Sequence, residues 1–373
     1  MPTITIFTGS PGPGVATAAA ATALHMASQS QRTLLLSTGE ARGLAALLGA
    51  QVGHAPAEIA PGLDALALDG LAELAAAWER GRSRMPAGLA QLAGDELPPL
   101  PGLELAFGLL RLRELAPRYD AVVLDAGPHE PLLRALAAPD GLRWGVRLLF
   151  GLDRGPGRSS ASLGRALLPT SFLPSDMLAG VQDARVQAEQ LRELLTAPGA
   201  AAVRYVLRPD QPALAEARLG IPALQLHGLA VQAIVAGPLL PAPLGTSLGG
   251  LLAAQGALLG ELQATWPSQP LRSFELIEGA GLAPLGELGA ALAGEPLPAP
   301  AAPIAASWQG TPAVAIALPG LPKGALRLTL SGDELIVQIG GFRRHILLPE
   351  TLRGASDIRA TREGEHLVVR KRT

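Results

Sequence analysis

Residues 3–8, TITIFT, form a short apolar run that breaks into GSPGPGVA at 9–16 and then into a stretch of alanines. That order is a strand, a glycine-rich loop and a helix, the layout in which backbone amides at a helix start can cradle a phosphate. The alternation continues. Residues 32–37 read as a second strand, followed by a helix near 41–49. A helix over 105–118 leads through Tyr119 and Asp120 into AVVLDA, a strand ending at Asp125. AAVRYVLRPD gives a strand ending near Arg208 and a helix over 211–219, and GLAVQAIVAG at 228–237 gives a further strand. Continuous apolar strands alternating with helices predict an α/β fold of the P-loop NTPase type, a mostly parallel sheet flanked by helices. A chain of 373 residues, 48% of them apolar, can bury such a core and still hold a smaller module.

The pattern changes twice. Gly, Arg and Ser dominate 151–165, a long helix is expected over 175–196, and 140–200 reads as a helical insertion. A helix over 246–264 is rich in Gly, Ala and Leu with very few charges, so it either packs on nearly all sides or lines an apolar groove. Pro296, Pro298, Pro300 and Pro303 then exclude a regular helix and set a stiff Pro/Ala linker at 294–310, after a first domain of 1–293. Beyond it the period becomes two. Strands at 313–318, 325–330, 334–340, 342–348, 355–361 and 366–371 make 311–373 a small all-β sandwich or barrel.

A working phosphate loop also needs a lysine for the β- and γ-phosphates and a hydroxyl for magnesium. Gly9, Gly12 and Gly14 can supply the backbone approach, but Val15 and Ala16 stand where the lysine and hydroxyl belong. No lysine precedes Lys323, and the nearest arginine in the chain, Arg32, lies beyond the following helix. Pro11 and Pro13 each remove an amide donor. Thr8, Ser10 and Thr17 offer hydroxyls, which do not replace a cation; losing a buried charged partner costs about 3–5 kcal/mol. Asp125, at a strand end, reads either as a magnesium-side acid or as a cap on the next turn. Three readings of the loop stay open: a vestigial nucleotide site of Gly9, Gly12, Gly14, Thr17 and Asp125, a structural turn, or a working ATPase loop.

With no cysteine, disulfides, thiolate metal sites and thiol nucleophiles are excluded. The six histidines form no ligand spacing, so no metal site is expected, and His129-Glu130 reads as part of a surface loop. A formal charge of -2 and the lack of a basic run argue against nucleic acid as partner. No basic segment precedes the first apolar run and no apolar stretch makes a convincing membrane span, so a cytoplasmic location without an integral membrane segment is expected.

The assembled segments resemble the ArsA-type family of arsenite-pump and tail-anchored-protein-targeting ATPases. Its loop G-K-G-G-V-G-K-T-T corresponds to Gly9 through Thr17, with both lysines replaced, by Ser10 and Val15, and the magnesium threonine by Ala16. Its first switch is similar to STGEARGL at 37–44, where the catalytic aspartate falls on Gly39. Its second is similar to YDAVVLDAGPHEPLLR at 119–134, which keeps Asp120, Asp125, Pro128, Leu133 and Arg134. Residues 203–226 resemble the strand and helix on the family's adenine side, and 269–292 its closing segment. Residues 318–369, above all Gly340-Gly341-Phe342-Arg343-Arg344 and Leu348-Pro349, resemble the small-heat-shock-like, α-crystallin-type domain of some relatives.

The resemblance implies an ATP-driven dimer with an apolar groove for hydrophobic clients. The replaced side chains redirect the expectation to a non-hydrolysing, chaperone-like homologue that binds hydrophobic or amphipathic helical segments. The expected groove residues are Leu163, Leu167, Leu168, Phe172, Leu173, Met177 and Leu178. No resident cofactor is expected, with ATP and magnesium entering only where the altered loop still binds them, and any homodimer lacks the zinc clasp of some relatives. The alternatives are a weak or atypical ATPase using Asp125 and Arg134, and an inactive structural partner of an active paralogue.

Overall fold

The structure, a computed structural model, describes residues 2–84, 87–99, 102–150, 175–355 and 357–372. Eight strands form one sheet: β1 (Thr3–Gly9), β2 (Thr33–Ser37), β3 (Ala57–Ala60), β4 (Leu63–Ala67), β5 (Ala121–Pro128), β6 (Ala201–Leu207), β7 (Val231–Leu239) and β8 (Leu271–Glu275). Their order is β3-β4-β2-β5-β1-β6-β7-β8, and every pair but β3-β4 is parallel. The central strands are buried on both faces, which explains their unbroken apolar runs.

One face carries the Gly14–Ser28 and Leu282–Ala293 helices over a core of alanines, Phe7, Leu35 and Val123. The other carries the helices Leu103–Leu115, His129–Phe150, Ser175–Thr196, Gln211–Leu226 and Gly245–Thr265. Leu282–Ala293 approaches its neighbour closely enough that a Cβ on Gly289 would lie 2.1 Å from the Ala21 carbonyl oxygen.

Several elements differ from expectation. The helix expected over 211–219 runs on to Leu226, through Pro222. The 245–265 helix is neither wholly buried nor wholly exposed. Leu258 and Leu262 pack inward, while Leu251 is 58% exposed. Strands β3, β4 and β8 add to the expected set: β3 and β4 are short and carry alanine, aspartate and glutamate, and β8 is a five-residue edge strand, so none shows a long apolar run.

The carboxyl-terminal region is a sandwich of two antiparallel sheets. One has the order β14-β15-β10-β9 and the other β11-β12-β13, from β9 (Ile304–Trp308), β10 (Thr311–Ala317), β11 (Leu326–Ser331), β12 (Glu334–Ile339), β13 (Phe342–Leu347), β14 (Ile358–Glu363) and β15 (His366–Lys371). Strand β9 occupies 304–308, inside the tract read as linker, and pairs with β10. The sandwich core does not close on itself: it includes Leu226, fully buried, with Leu219 packed against it, both from the Gln211–Leu226 helix. Arg344 also donates to the Leu226 carbonyl, Arg143 reaches Glu334 at 3.4 Å, and Trp266 Nε1 donates to the Pro319 carbonyl at 3.2 Å.

Candidate functional site

The carboxyl ends of β1, β2 and β5 open into a cleft of about 620 Å³. In a parallel sheet this edge is where ligands sit, because loops and helix starts converge there. Gly12, Val15 and Ala16 form one wall, Thr38 to Ala41 a second and Asp125 to Pro128 a third; His54, Leu68 to Leu71, Glu104, Leu105 and Pro131 complete it.

The loop owes its glycines largely to packing. A Cβ on Gly9 would stand 1.7 Å from the Val206 carbonyl oxygen, and one on Gly14 would stand 2.8 Å from that of Gly237. Gly12 has φ +142°, a conformation that side chains rarely adopt. The Ser10 amide is committed to the Val206 carbonyl at 2.9 Å. Ser10, at the first of the two lysine positions of the resembled loop, is 5% exposed, so its side chain is turned into the protein. Thr17 is buried as well, and its hydroxyl donates to the Pro13 carbonyl at 2.9 Å. Of the five residues expected to handle nucleotide, Gly12 and Asp125 therefore line the cleft, while Gly9, Gly14 and Thr17 support the loop from behind.

Asp125 lies beside Ser37 across the β2–β5 pair. Both of its oxygens are engaged: Ser37 Oγ donates to one at 2.7 Å, and the Gly127 amide donates to the other at 3.2 Å. Burial pushes its pKa up, and these two donors oppose that shift. Thr8 Oγ1 donates to the Gly127 carbonyl at 2.9 Å, holding the turn after β5 against β1.

The charge of the cleft is lopsided. Glu40, Asp69, Glu104 and Asp125 line it, and among the described residues its lining holds no lysine or arginine. Asp69 caps the Gly70–Gly81 helix through the Ala72 amide at 2.9 Å. Arg32 is confirmed as remote: its guanidinium stacks 5.1 Å from the Tyr119 ring centroid, and its amide donates to Asp120. Sequence separation hid a nearer cation. The aliphatic stem of Arg208 passes 3.9 Å from where a Gly12 Cβ would be, with its guanidinium paired to Asp210 at 2.9 Å. Arg208 lines a neighbouring cleft of about 600 Å³, together with Pro238, Leu251, Ala254 and Glu261. Arg134 pairs with Glu130 on the surface of its own helix.

Magnesium triphosphate does not fit this arrangement. Val15 and Ala16 bring neither cation nor hydroxyl to the cleft, and the resident carboxylates add repulsion. Among the described residues no group of three or more His, Asp or Glu is placed to hold a metal ion.

His129 corrects the sequence reading. It is 8% exposed rather than on a surface loop, because it starts a helix directly behind β5. Of the expected groove, Leu163, Leu167, Leu168, Phe172 and Leu173 lie outside the described residues, and Met177 and Leu178 fall on the Ser175–Thr196 helix. No helix among the described residues is long and apolar enough to cross a membrane.

Comparison with known proteins agrees with this architecture. Residues 2–293 match the family described as Anion-transporting ATPase, and 309–370 match the HSP20-like domain found in ArsA. An uncharacterized protein of Streptomyces coelicolor is 35% identical over 382 residues, spanning 96% of this chain and 95% of that protein. A protein of Mycobacterium tuberculosis is 31% identical over 414 residues, covering 99% and 96%. One from Chlorobaculum tepidum, named "Putative arsenical pump-driving ATPase", is 29% identical over 369 residues, covering 94% and 91%. With the family match spanning most of its length and the appended β-domain matching as well, this chain belongs to the ArsA anion-transporting ATPase family.

Proposed function

We propose that this chain is a non-hydrolysing, chaperone-like member of its family that binds hydrophobic or amphipathic helical protein segments. One observation carries the reading: the cleft where the family's loop opens has carboxylates but, among its described lining residues, no lysine or arginine. A triphosphate entering it would lose its hydration without gaining a cation. The apolar outer face of the Gly245–Thr265 helix, with Leu251 exposed beside Ala254 and Ala257, supports the client half of the proposal. Without cysteine, any self-association on this reading uses packed surfaces instead of a zinc clasp.

Calorimetric titration with magnesium and ATP, run beside a phosphate-release assay and a fluorescent amphipathic-helix peptide, tests the proposal. The expected result is peptide binding that nucleotide does not alter, with no turnover. ATP hydrolysis abolished by Asp125→Asn would overturn it and establish the weak-ATPase reading, which the position of Asp125 at the cleft favours. Peptide binding that appears only with a lysine-bearing paralogue present would instead make the chain a structural partner.

A further inference from the structure

Behind the loop lies a buried junction that the cleft does not use. His129 Nδ1 is 3.0 Å from the Gly9 carbonyl oxygen, so this nitrogen carries the proton and donates it there. The Tyr205 hydroxyl oxygen stands 3.3 Å from the same nitrogen, with the two ring centroids 5.7 Å apart. The imidazole also meets Phe342, the first residue of β13, at 5.9 Å between centroids and an interplanar angle of 56°. A ring of the carboxyl-terminal sandwich thus packs against the side chain that holds the first carbonyl of the loop.

The surrounding backbone is built to keep this contact. A Cβ on Gly220 would lie 2.8 Å from His129 Nε2 and 2.9 Å from the Tyr205 hydroxyl, so the Gln211–Leu226 helix approaches both only through a glycine. The same helix sends Leu219 against Gly340, in the turn just before Phe342, and Leu226 into the sandwich core. Gly9 is equally confined, since the Val206 carbonyl excludes any side chain there and accepts the Ser10 amide. A buried donor and a buried carbonyl that satisfy each other resist separation, because each left alone keeps its full desolvation cost.

We infer that His129 is a positioning residue that couples the loop to the carboxyl-terminal sandwich, with Phe342 as the sandwich's contact. Displacing Phe342 frees the imidazole to tilt, and the tilt loosens the Gly9 carbonyl at the base of the loop. Coupling of this kind is reciprocal: anything that tightens the loop tightens the Gly340-Gly341 turn and the start of β13. The inference holds whether or not the cleft takes a nucleotide.

Hydrogen exchange followed by mass spectrometry on the full chain tests it, read at the amides of residues 9–17. Phe342→Ala is expected to speed exchange there by about fivefold or more, the lower end of ordinary coupling strengths. Phe342→Leu, which keeps apolar bulk without the ring, should act in the same direction if the alanine variant fails to fold. Leu347→Ala, an exposed position on the same strand, should leave those amides unchanged. His129→Asn retains a donor toward Gly9 but has no ring for Phe342, so the Phe342 substitutions should lose their effect on the loop in that background. A merely structural role for either residue would give additive effects. Unchanged loop exchange in a folded Phe342 variant, or an undiminished effect in the His129→Asn background, overturns the inference.

Discussion

At Asp125 two physical effects oppose each other, and their balance is measurable. Burial raises the pKa of this carboxyl, and donation from Ser37 and Gly127 lowers it, with burial the larger. The folded state therefore holds the proton more tightly than the unfolded chain does. Stability from this residue is full below the ordinary aspartate range and falls as pH rises from that range through the raised folded value. Asp125→Asn removes the charge; its one amide oxygen can keep the Gly127 donor, while its NH2 meets Ser37 Oγ, which must turn from donor to acceptor. Thermal melts should show the variant gaining on the parent at pH 7.5 and losing that gain at pH 4. An equal difference at both pH values would mean that the carboxylate bears no desolvation penalty. Legibility of the site was uneven at this scale. The replacement of the loop lysine by Val15 was plain in the residues themselves, since identity and position in the motif suffice to show a missing charge. His129 and Arg208 were not legible, because their roles depend on contacts with β1, β13 and the loop that form only when the sheet assembles.

At the element scale, long buried strands were read correctly because burial on both faces leaves a continuous apolar run. Helix ends were harder. Pro222 and Gly220 stand inside the Gln211–Leu226 helix, where local propensity argues for a stop. Packing overrides it: the helix continues because Leu224 and Leu226 are fully buried, one under the sheet and one in the sandwich. The Leu282–Ala293 helix depends on a comparable tertiary fit. Gly289 lets it sit against the alanine-rich Gly14–Ser28 helix, and the nearest atom to an added Cβ is backbone, which cannot rotate away. Gly289→Ala would raise helix propensity by about 1 kcal/mol, yet forcing the two helices apart costs about 1–3 kcal/mol or more. The steric term wins. Urea unfolding should show a lower midpoint for Gly289→Ala, whereas Gly286→Ala on the same helix, with open space around its Cβ, should match or exceed the parent. A stabilised Gly289→Ala would show that the helices can slide.

At the scale of the whole molecule the sandwich is a docked part of the fold, and its junction predicts a pH limit. His227 ends the Gln211–Leu226 helix and is 1% exposed, with Nδ1 donating to the Ala223 carbonyl at 2.9 Å. Burial lowers its pKa from 6.5 to about 4; Arg344 and Arg192 push the same way, while the Ala223 carbonyl and Asp140 oppose them. A histidine held neutral in the fold contributes stability that is complete above the unfolded value. It is lost as pH falls through the window from 6.5 to about 4, on the order of 3 kcal/mol. Arg344 belongs to β13 and donates to the Leu226 carbonyl, so charging His227 sets two cations against each other at the seam between sandwich and sheet domain. The full chain should therefore unfold in a single transition at pH 7.5, because the shared core around Leu226 prevents either part from melting alone. Toward pH 4.5 the transition should fall and divide in two as the seam opens first. His227→Gln, uncharged at every pH, should hold the single transition further into acid. Calorimetry across that range decides the matter: two transitions already present at pH 7.5 would mean that the sandwich is only tethered, and an unchanged acid limit in His227→Gln would move the sensitivity to another group.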